Sequence, residues 1–155
     1  MLFTSINIPF HHESEGFVIL EIWILSIHVI FCLPNNLLRN PILFEDDIWY
    51  FVAMTEGALT NGGMAITKRH VESPFEINND EWNRLHNLLP KFKALIDDVE
   101  KPQGYNIGWN VYPTGGQNVA HAHLHIIGRY DDEPLAGKGI RSAFKQPSNT
   151  RHSKS

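Results

Sequence analysis

Apolar residues recur along this chain with two different periods, and the change of period marks out its elements. The strongest pattern runs from Asn78 to Val99. Trp82, Leu85, Leu89, Phe92, Ile96 and Val99 follow one another at intervals of three and four residues. That spacing predicts one buried face of an amphipathic helix of about six turns. Asn78, with Glu81 three residues later, has the form of a capping box. Pro90 falls inside the pattern and is expected to kink or divide the helix, because it lacks the amide proton a helix needs. Pro102 and Gly104 end the element.

Elsewhere the period is two or the apolar runs are short. Ile42 to Phe44 and Ile48 to Ala53 read as two strands joined by a turn at Glu45-Asp46-Asp47. Asn61-Gly62-Gly63 is a turn signal, followed by a short strand from Met64 to Thr67 and the basic trio Lys68-Arg69-His70. Tyr105, Ile107, Trp109 and Val111 alternate with Asn106, Gly108 and Asn110, which predicts a half-buried strand from Tyr105 to Tyr112. Pro113 to Gly116 turns the chain into a second strand, Val119 to Gly128. So short a connection makes an antiparallel hairpin the expected pairing.

The first third of the chain is the least regular. Phe17 to Leu33 is rich in Ile, Val and aromatic residues, but Glu21 and His28 interrupt it. The stretch after Glu21 falls short of the ~20 apolar residues of a spanning helix. No basic residue precedes Arg39, so a secretory signal is not expected. The run is read as a buried strand or helix, with strand favoured by its β-branched residues. A membrane-associated segment is the lesser alternative.

At 155 residues the chain has the size of one domain, and 43% hydrophobic residues suffice for a core. The net charge of −4, with scattered Lys and Arg, argues against a protein that coats nucleic acid. A single nucleotide needs only a few placed donors. Cys32 is the lone cysteine, which suits a reducing compartment. From Lys145 on, the chain is Ser, Asn, Lys and Arg, and residues 147–155 are expected to lack order.

Chemistry concentrates in the second strand of the hairpin. His121, His123 and His125 alternate with Ala122 and Leu124. On one strand the three imidazoles would share a face, about 6.7 Å apart along the chain. Ala120, Ala122, Leu124 and Ile126 would face a core. A symmetric turn would set Asn110 opposite His121 and Gly108 opposite His123, leaving open space over the middle ring. Gly115 and Gly116 would let backbone amides approach an anion. Imidazole is a nucleophile that titrates near neutrality, so this arrangement suits attack on phosphorus with a neighbouring histidine handling protons. A zinc site is the competing reading, since His-x-His on a strand binds metal. A third ligand further along a flat face converges poorly on one ion, so no metal is expected.

With its Gly115-Gly116-Gln117 lead, the segment His121-Ala122-His123-Leu124-His125-Ile126-Ile127 resembles the signature of the histidine-triad (HIT) superfamily. Asn110, eleven residues before His121, fits too. The likeness runs roughly from Ile30 to Gln146, leaving residues 1–29 as an extension. Pro134 to Lys145 is similar to small bacterial members. The resemblance implies an α+β fold, an antiparallel sheet of about five strands with one long helix packed on it, usually in a homodimer. It implies a cytoplasmic nucleotidyl hydrolase or transferase acting at the α-phosphate of nucleotide conjugates such as phosphoramidates or dinucleoside polyphosphates, without a cofactor. By the same resemblance His123 is the nucleophile, His125 a donor to the phosphate or bridging oxygen, and His121 the residue that orients His123, partly through its carbonyl. Asn110, Gln117 and Asn118 are implied phosphate-side contacts, and Phe31 a stacking partner for the base.

The chain departs from the family in three places. Met54 stands where many members grip the ribose with an acid, Gly62 where many have a further histidine, and Asn118 where a Ser or Thr protonates the leaving group. A zinc-binding cysteine pair of some members is absent, with Val29 at its first position and Cys32 alone remaining. Among the other residues, Lys68, Arg69 and His70 either face phosphate or form a solvated strand end. Trp49, Trp82 and Trp109 are expected in the core. Lys138 and Arg141, beside Gly137 and Gly139, either reach substrate or lie on a surface loop. Glu56, Asp97, Asp98 and Glu100 read as solvent-facing charge.

Overall fold

The computed structural model describes residues 40–54, 59 and 61–151. The expected extension, Phe31 and the run Phe17 to Leu33 lie outside the described residues. Five strands, β1 (Ile42–Glu45), β2 (Trp49–Ala53), β3 (Gly62–Thr67), β4 (Gly104–Trp109) and β5 (His123–Arg129), form one sheet in the order β1-β2-β3-β5-β4. Every neighbouring pair is antiparallel. One long helix, α1 (Asn79–Asp97), lies between β3 and β4 in sequence, and a single turn, α2 (Arg141–Phe144), follows β5. A 3-10 turn at Pro147–Asn149 lies within the stretch expected to lack order. The α+β architecture is the expected one. Among the described residues no helix is long and apolar enough to cross a membrane.

The β1–β2 turn forms because Asp46 accepts hydrogen bonds from the backbone N–H of Ile48 and of Trp49, each at 2.8 Å, a local motif short acids favour. Gly62 and Gly63 were expected in a turn but belong to β3. Packing explains it: a Cβ on Gly63 would lie 2.2 Å from the Phe51 ring, and one on Gly62 would lie 2.8 Å from the Ile126 carbonyl. The glycines make room for neighbours across the sheet.

One face of the sheet carries Trp49, Phe51, Ala65, Leu124 and Ile126 and meets Leu85, Leu88, Phe92 and Ile96 of α1. Phe51 and Phe92 stack with centroids 4.4 Å apart, and Phe44 adds an edge-on contact to Phe92 at 5.7 Å. The buried stripe of the helix is Glu81, Leu85, Leu88, Phe92 and Ile96: Leu85, Phe92 and Ile96 are as expected, while Glu81 and Leu88 stand in place of Trp82 and Leu89. Val99 lies beyond the helix end and is 71% exposed. Trp82 is 39% exposed and packs edge-on against half-buried Trp109 rather than entering the core. Of the three tryptophans expected there, Trp49 alone is fully buried. Pro90 does not divide α1. It and His86, whose carbonyl loses its amide partner, are both exposed, so water can satisfy the freed oxygen.

The helix start is fixed from both sides. The Asn78 side chain accepts from the Glu81 amide, and the Glu81 carboxylate accepts from the Asn78 amide, both at 2.9 Å. Arg69 donates to the same carboxylate through two nitrogens, at 2.8 and 2.7 Å. That hydrogen bonding holds the largely buried Glu81 below the usual carboxylate range. The Trp49 indole donates to the Glu81 carbonyl at 3.0 Å. Glu81 thus joins β2, the end of β3 and α1. Glu81→Ala is expected to cost about 2 kcal/mol, measured by urea unfolding. Made in an Arg69→Ala background it should cost clearly less; equal costs in both backgrounds would mean that the pair does not couple.

On the opposite face Tyr50, Val52 and Ile66 are buried, with Met64 and Val119 against them. Ile66 pairs with His123 and Met64 with His125, so this is the face the histidines share.

Candidate functional site

β5 begins at His123, so only two of the three histidines lie on the strand. His121 precedes it in an irregular segment and is fully buried. The register also differs from the expected one. Gly108 pairs with His125 and Trp109 with Leu124, so the glycine, which Ile140 covers with its Cδ1 3.3 Å from where a Cβ would stand, lies beside His125 and not His123. The reason is the connection. It is lengthened by a 3-10 turn at Pro113–Gly115, and the Ala122 amide is held by the Val71 carbonyl at 2.7 Å, delaying the start of β5. A shift of two residues preserves the face each side chain occupies.

The loop is braced rather than open. Tyr112 has a φ of 58°, a conformation side chains resist. Its amide donates to the Gln117 side-chain oxygen at 2.7 Å, and the Gln117 side-chain nitrogen donates to the Glu72 carbonyl at 2.7 Å. The amides of Gly115 and Gln117 both donate to the Tyr112 carbonyl, and that of Gly116 to the Pro113 carbonyl. The expectation that Gly115 and Gly116 offer amides to an anion is thereby corrected: the turn consumes them. Gln117 is buried within this brace. Gly116, at a φ of 88°, lies under the Asn110 side chain, where the left-handed backbone favours glycine. Asn110 and Asn118 are exposed. The amides of Asn118 and Val119 have no hydrogen-bond partner among the described residues.

Hydrogen bonds to backbone carbonyls fix the rings of His121 and His123. His123 Nδ1 lies 2.8 Å from the His121 carbonyl oxygen. A carbonyl only accepts, so Nδ1 carries the proton and Nε2 keeps its lone pair. His121 Nε2 lies 2.8 Å from the Thr67 carbonyl and is a donor for the same reason. The Thr67 hydroxyl stands 3.1 Å from that nitrogen and donates to the Arg69 carbonyl at 2.7 Å. His121 Nδ1 is then an acceptor facing His70 Nδ1 at 3.3 Å. The rings of His123 and His125 meet edge-on at 4.8 Å. Among the described residues the buried His125 Nε2 has no hydrogen-bond partner, so a polar group there awaits a bond.

Of the basic trio, Lys68 pairs with Glu45 at 2.6 Å and Arg69 with Glu81 at 2.7 Å, while His70 abuts the triad. Thr67 and the bracing role of Gln117 were not foreseen, because each acts through backbone groups distant in sequence. Among the described residues no group of three or more His, Cys, Asp or Glu side chains is placed to hold a metal ion.

Burial lowers all three imidazoles from their ordinary range. His121 falls to about 4, the Thr67 carbonyl opposing the shift and the charges of His70 and His123 adding to it. His125 falls to about 4 through burial and then the charge of His123. His123 is lowered by burial against the opposing His121 carbonyl. All three are neutral at pH 7. In the unfolded chain histidine titrates near 6.5. Between 6.5 and 4 the unfolded chain therefore binds more protons, so stability is full above pH 6.5 and declines as the pH falls toward 4. The thermal midpoint is expected to drop over that interval. His121→Asn should lower the midpoint at pH 7 yet flatten this pH slope; an unchanged slope would remove His121 as a source.

Comparison with known proteins agrees with the fold. The chain matches the HIT domain over residues 42–132. It is 34% identical over 82 residues to the "Protein hit" of Bacillus subtilis, covering 53% of this chain and 54% of that protein. It is 31% identical over 109 residues to an uncharacterized HIT-like protein of Methanocaldococcus jannaschii, covering 67% of this chain and 81% of that one. The chain thus spans about half the length of the Bacillus relative. Among solved structures, one described as a HIT family hydrolase from Legionella pneumophila superposes with a TM-score of 0.52 at 26% identity, covering 64% of this chain and 88% of that one. Since the matched segment runs from β1 past β5, more than half its length, the chain belongs to the HIT domain family.

Proposed function

We propose that this HIT protein cleaves nucleotide conjugates at the α-phosphate through a covalent nucleotidyl-His123 intermediate. The observation that carries the reading is the 2.8 Å contact of His123 Nδ1 with the His121 carbonyl. It leaves Nε2 unprotonated, and burial keeps the ring neutral at pH 7, the state in which imidazole attacks. In the first step Nε2 bonds to phosphorus, and the bond from phosphorus to the leaving group breaks, its electron pair going to the leaving group, which takes a proton from solvent. In the second, water attacks phosphorus, the N–P bond breaks, and water's proton leaves to solvent. The products are the nucleoside monophosphate and the free leaving group. The amides of Asn118 and Val119, the Asn110 side chain and the partnerless His125 Nε2 are the groups available to phosphoryl oxygens. Gln117 acts by holding the loop, and Phe31 as a base contact rests on the resemblance alone. So do a homodimeric assembly and a cytoplasmic location. The hydrolase description of the Legionella relative supports the enzyme reading.

A second reading, a nucleotide-binding module with little turnover, is favoured by one observation. Asn118 is no acid, and His125 stays neutral down to about 4, so neither protonates a poor leaving group at pH 7.

The test uses α-labelled adenosine phosphoramidate and diadenosine tetraphosphate, quenched in alkaline denaturant, where an N–P bond persists. Label is expected on the protein and lost on brief acid treatment. No label from either compound would favour the binding module.

A further inference from the structure

A histidine outside the triad stands beside its buried end. His70 follows β3 and is exposed. The chain around it is tethered on both sides. On one side the Lys68 amide donates to the Ile48 carbonyl at 2.8 Å, and the Thr67 hydroxyl donates to the Arg69 carbonyl at 2.7 Å. Arg69 itself reaches the Glu81 carboxylate and the Glu76 carbonyl. On the other side Val71 is buried, and its carbonyl accepts from the Ala122 amide at 2.7 Å. That last bond sets His70 across from His121. The two rings meet edge-on, with centroids 4.9 Å apart and their Nδ1 atoms at 3.3 Å.

What passes between those nitrogens follows from the other contacts of His121. Its Nε2 gives its proton to the Thr67 carbonyl, and burial keeps the ring from taking a second proton at pH 7. Nδ1 therefore carries a lone pair inside the fold. A buried acceptor left without a donor is costly. Of the donor-bearing side chains from Thr67 to His70, Lys68 is committed to Glu45 and Arg69 to Glu81, and the Thr67 hydroxyl donates to Arg69. The donor to His121 Nδ1 is then His70, through Nδ1–H. Histidine suits the task. Protonation of His70 leaves that hydrogen in place, because imidazolium carries one on each nitrogen, and the added charge strengthens the bond.

We propose that His70 is a positioning residue of the triad: by donating from Nδ1 it fixes the His121 ring, and with it the peptide whose carbonyl orients His123. The kinetic consequence rests on the nucleotidyl-transfer reading above; the structural one does not. The route is short. The His121 ring is held between the Thr67 carbonyl and His70, and the carbonyl 2.8 Å from His123 Nδ1 belongs to the same residue. Without its second hold the ring would turn more freely, the segment before β5 would loosen, and His123 Nδ1–H would lose a fixed acceptor.

The test compares His70→Leu, which removes the donor, with His70→Asn, whose amide donates from nearly the same place. The substituted side chain is exposed, so both variants should fold, as checked by their thermal midpoints. Nitrogen NMR of the labelled imidazoles reads the bond directly. In the wild type and His70→Asn, His121 Nδ1 should give the signal of a bare nitrogen that accepts a hydrogen bond; in His70→Leu that signal should move downfield. Exchange of the His123 Nδ1 proton with water should be about 10-fold faster in His70→Leu. With adenosine phosphoramidate, kcat should fall about 10-fold in His70→Leu, with KM within about twofold, and return to within about threefold of wild type in His70→Asn. In a His121→Ala background there is no ring to hold, so His70→Leu should change kcat by less than about twofold. An unmoved His121 Nδ1 signal in His70→Leu, or an equal loss of kcat with and without the His121 ring, would overturn the positioning role. If the wild type turns over no conjugate while the nitrogen signals behave as expected, the positioning role stands and the transfer reading fails.

Discussion

His123→Ala is expected to lower kcat/KM for nucleotide conjugates by about 10^4-fold or more, and to abolish the labelled intermediate. Nothing near it can take over. His121 is fully buried, its Nε2 bonded to the Thr67 carbonyl and its Nδ1 facing His70, so neither nitrogen is free to reach phosphorus. His125 lies one strand period further on, beside Gly108, and would have to displace the substrate to replace His123. His121→Ala makes the informative contrast. It removes a ring but leaves the carbonyl that receives the His123 proton. Its kcat should fall by only about 10- to 100-fold, through loss of packing under the nucleophile. Label persisting in His123→Ala would mean that the nucleophile is another residue. Equal losses in the two variants would mean that the His121 ring, and not its carbonyl, controls His123. Both comparisons use the fraction folded at the assay temperature as a control.

Phe92→Ala is expected to destabilise the protein by about 3–5 kcal/mol. Phe92 is fully buried and stacks on Phe51 within a 10° interplanar angle. Phe51 in turn lies over Gly63, where even a methyl group would overlap its ring. The backbone beneath Phe51 is thus as close as it can come, and the space left by Phe92 cannot be filled from that side. Limited relaxation puts the cost toward the upper end of the range. Phe75→Ala is the control. That ring is 83% exposed, and its loss should cost no more than about 0.5 kcal/mol. Midpoints from urea unfolding, with the slope checked for constancy, decide the matter. A cost for Phe92→Ala below about 1 kcal/mol would show that the stack is not a principal support of the sheet–helix interface.

The elements that the chain announces clearly are those whose signal is local. The capping box at Asn78 and Glu81 is closed by residues three apart, and the Asp46 turn is formed by its own next neighbours. Both were legible. The burial stripe of α1 was legible at Leu85, Phe92 and Ile96, but not where Glu81 and Leu88 take the places expected for Trp82 and Leu89. Trp82 and Val99 are apolar enough to complete the pattern, yet Trp82 meets Trp109 at the rim and Val99 lies past the last turn. Gly62 and Gly63 read as a turn because glycine is most often used for its backbone freedom. Here they are needed for thinness, and only the position of Phe51 and of the Ile126 carbonyl reveals it.

At the site, the alternation of His121, His123 and His125 was legible, but not the path of the chain that carries it. The period suggested one continuous strand, whereas His121 stands before it and is fixed by Thr67 and His70 from the end of β3. Such bonds join residues more than fifty positions apart and leave no trace in spacing. The strand register was likewise hidden in the connection. The length of the loop was visible, but not the share of it taken up by the brace through Tyr112, Gln117 and Glu72.

Every amino acid that could be encoded at position 121 brings the same peptide oxygen. The atom that sets the proton on His123 is therefore out of reach of any single codon change there. What heredity has to preserve is the path of the chain that delivers it, written in the tether of Ala122 to Val71 and in the buried amide of Gln117. Drift in this lineage would unseat the His123 ring by loosening those moorings sooner than by altering the residue that supplies the oxygen.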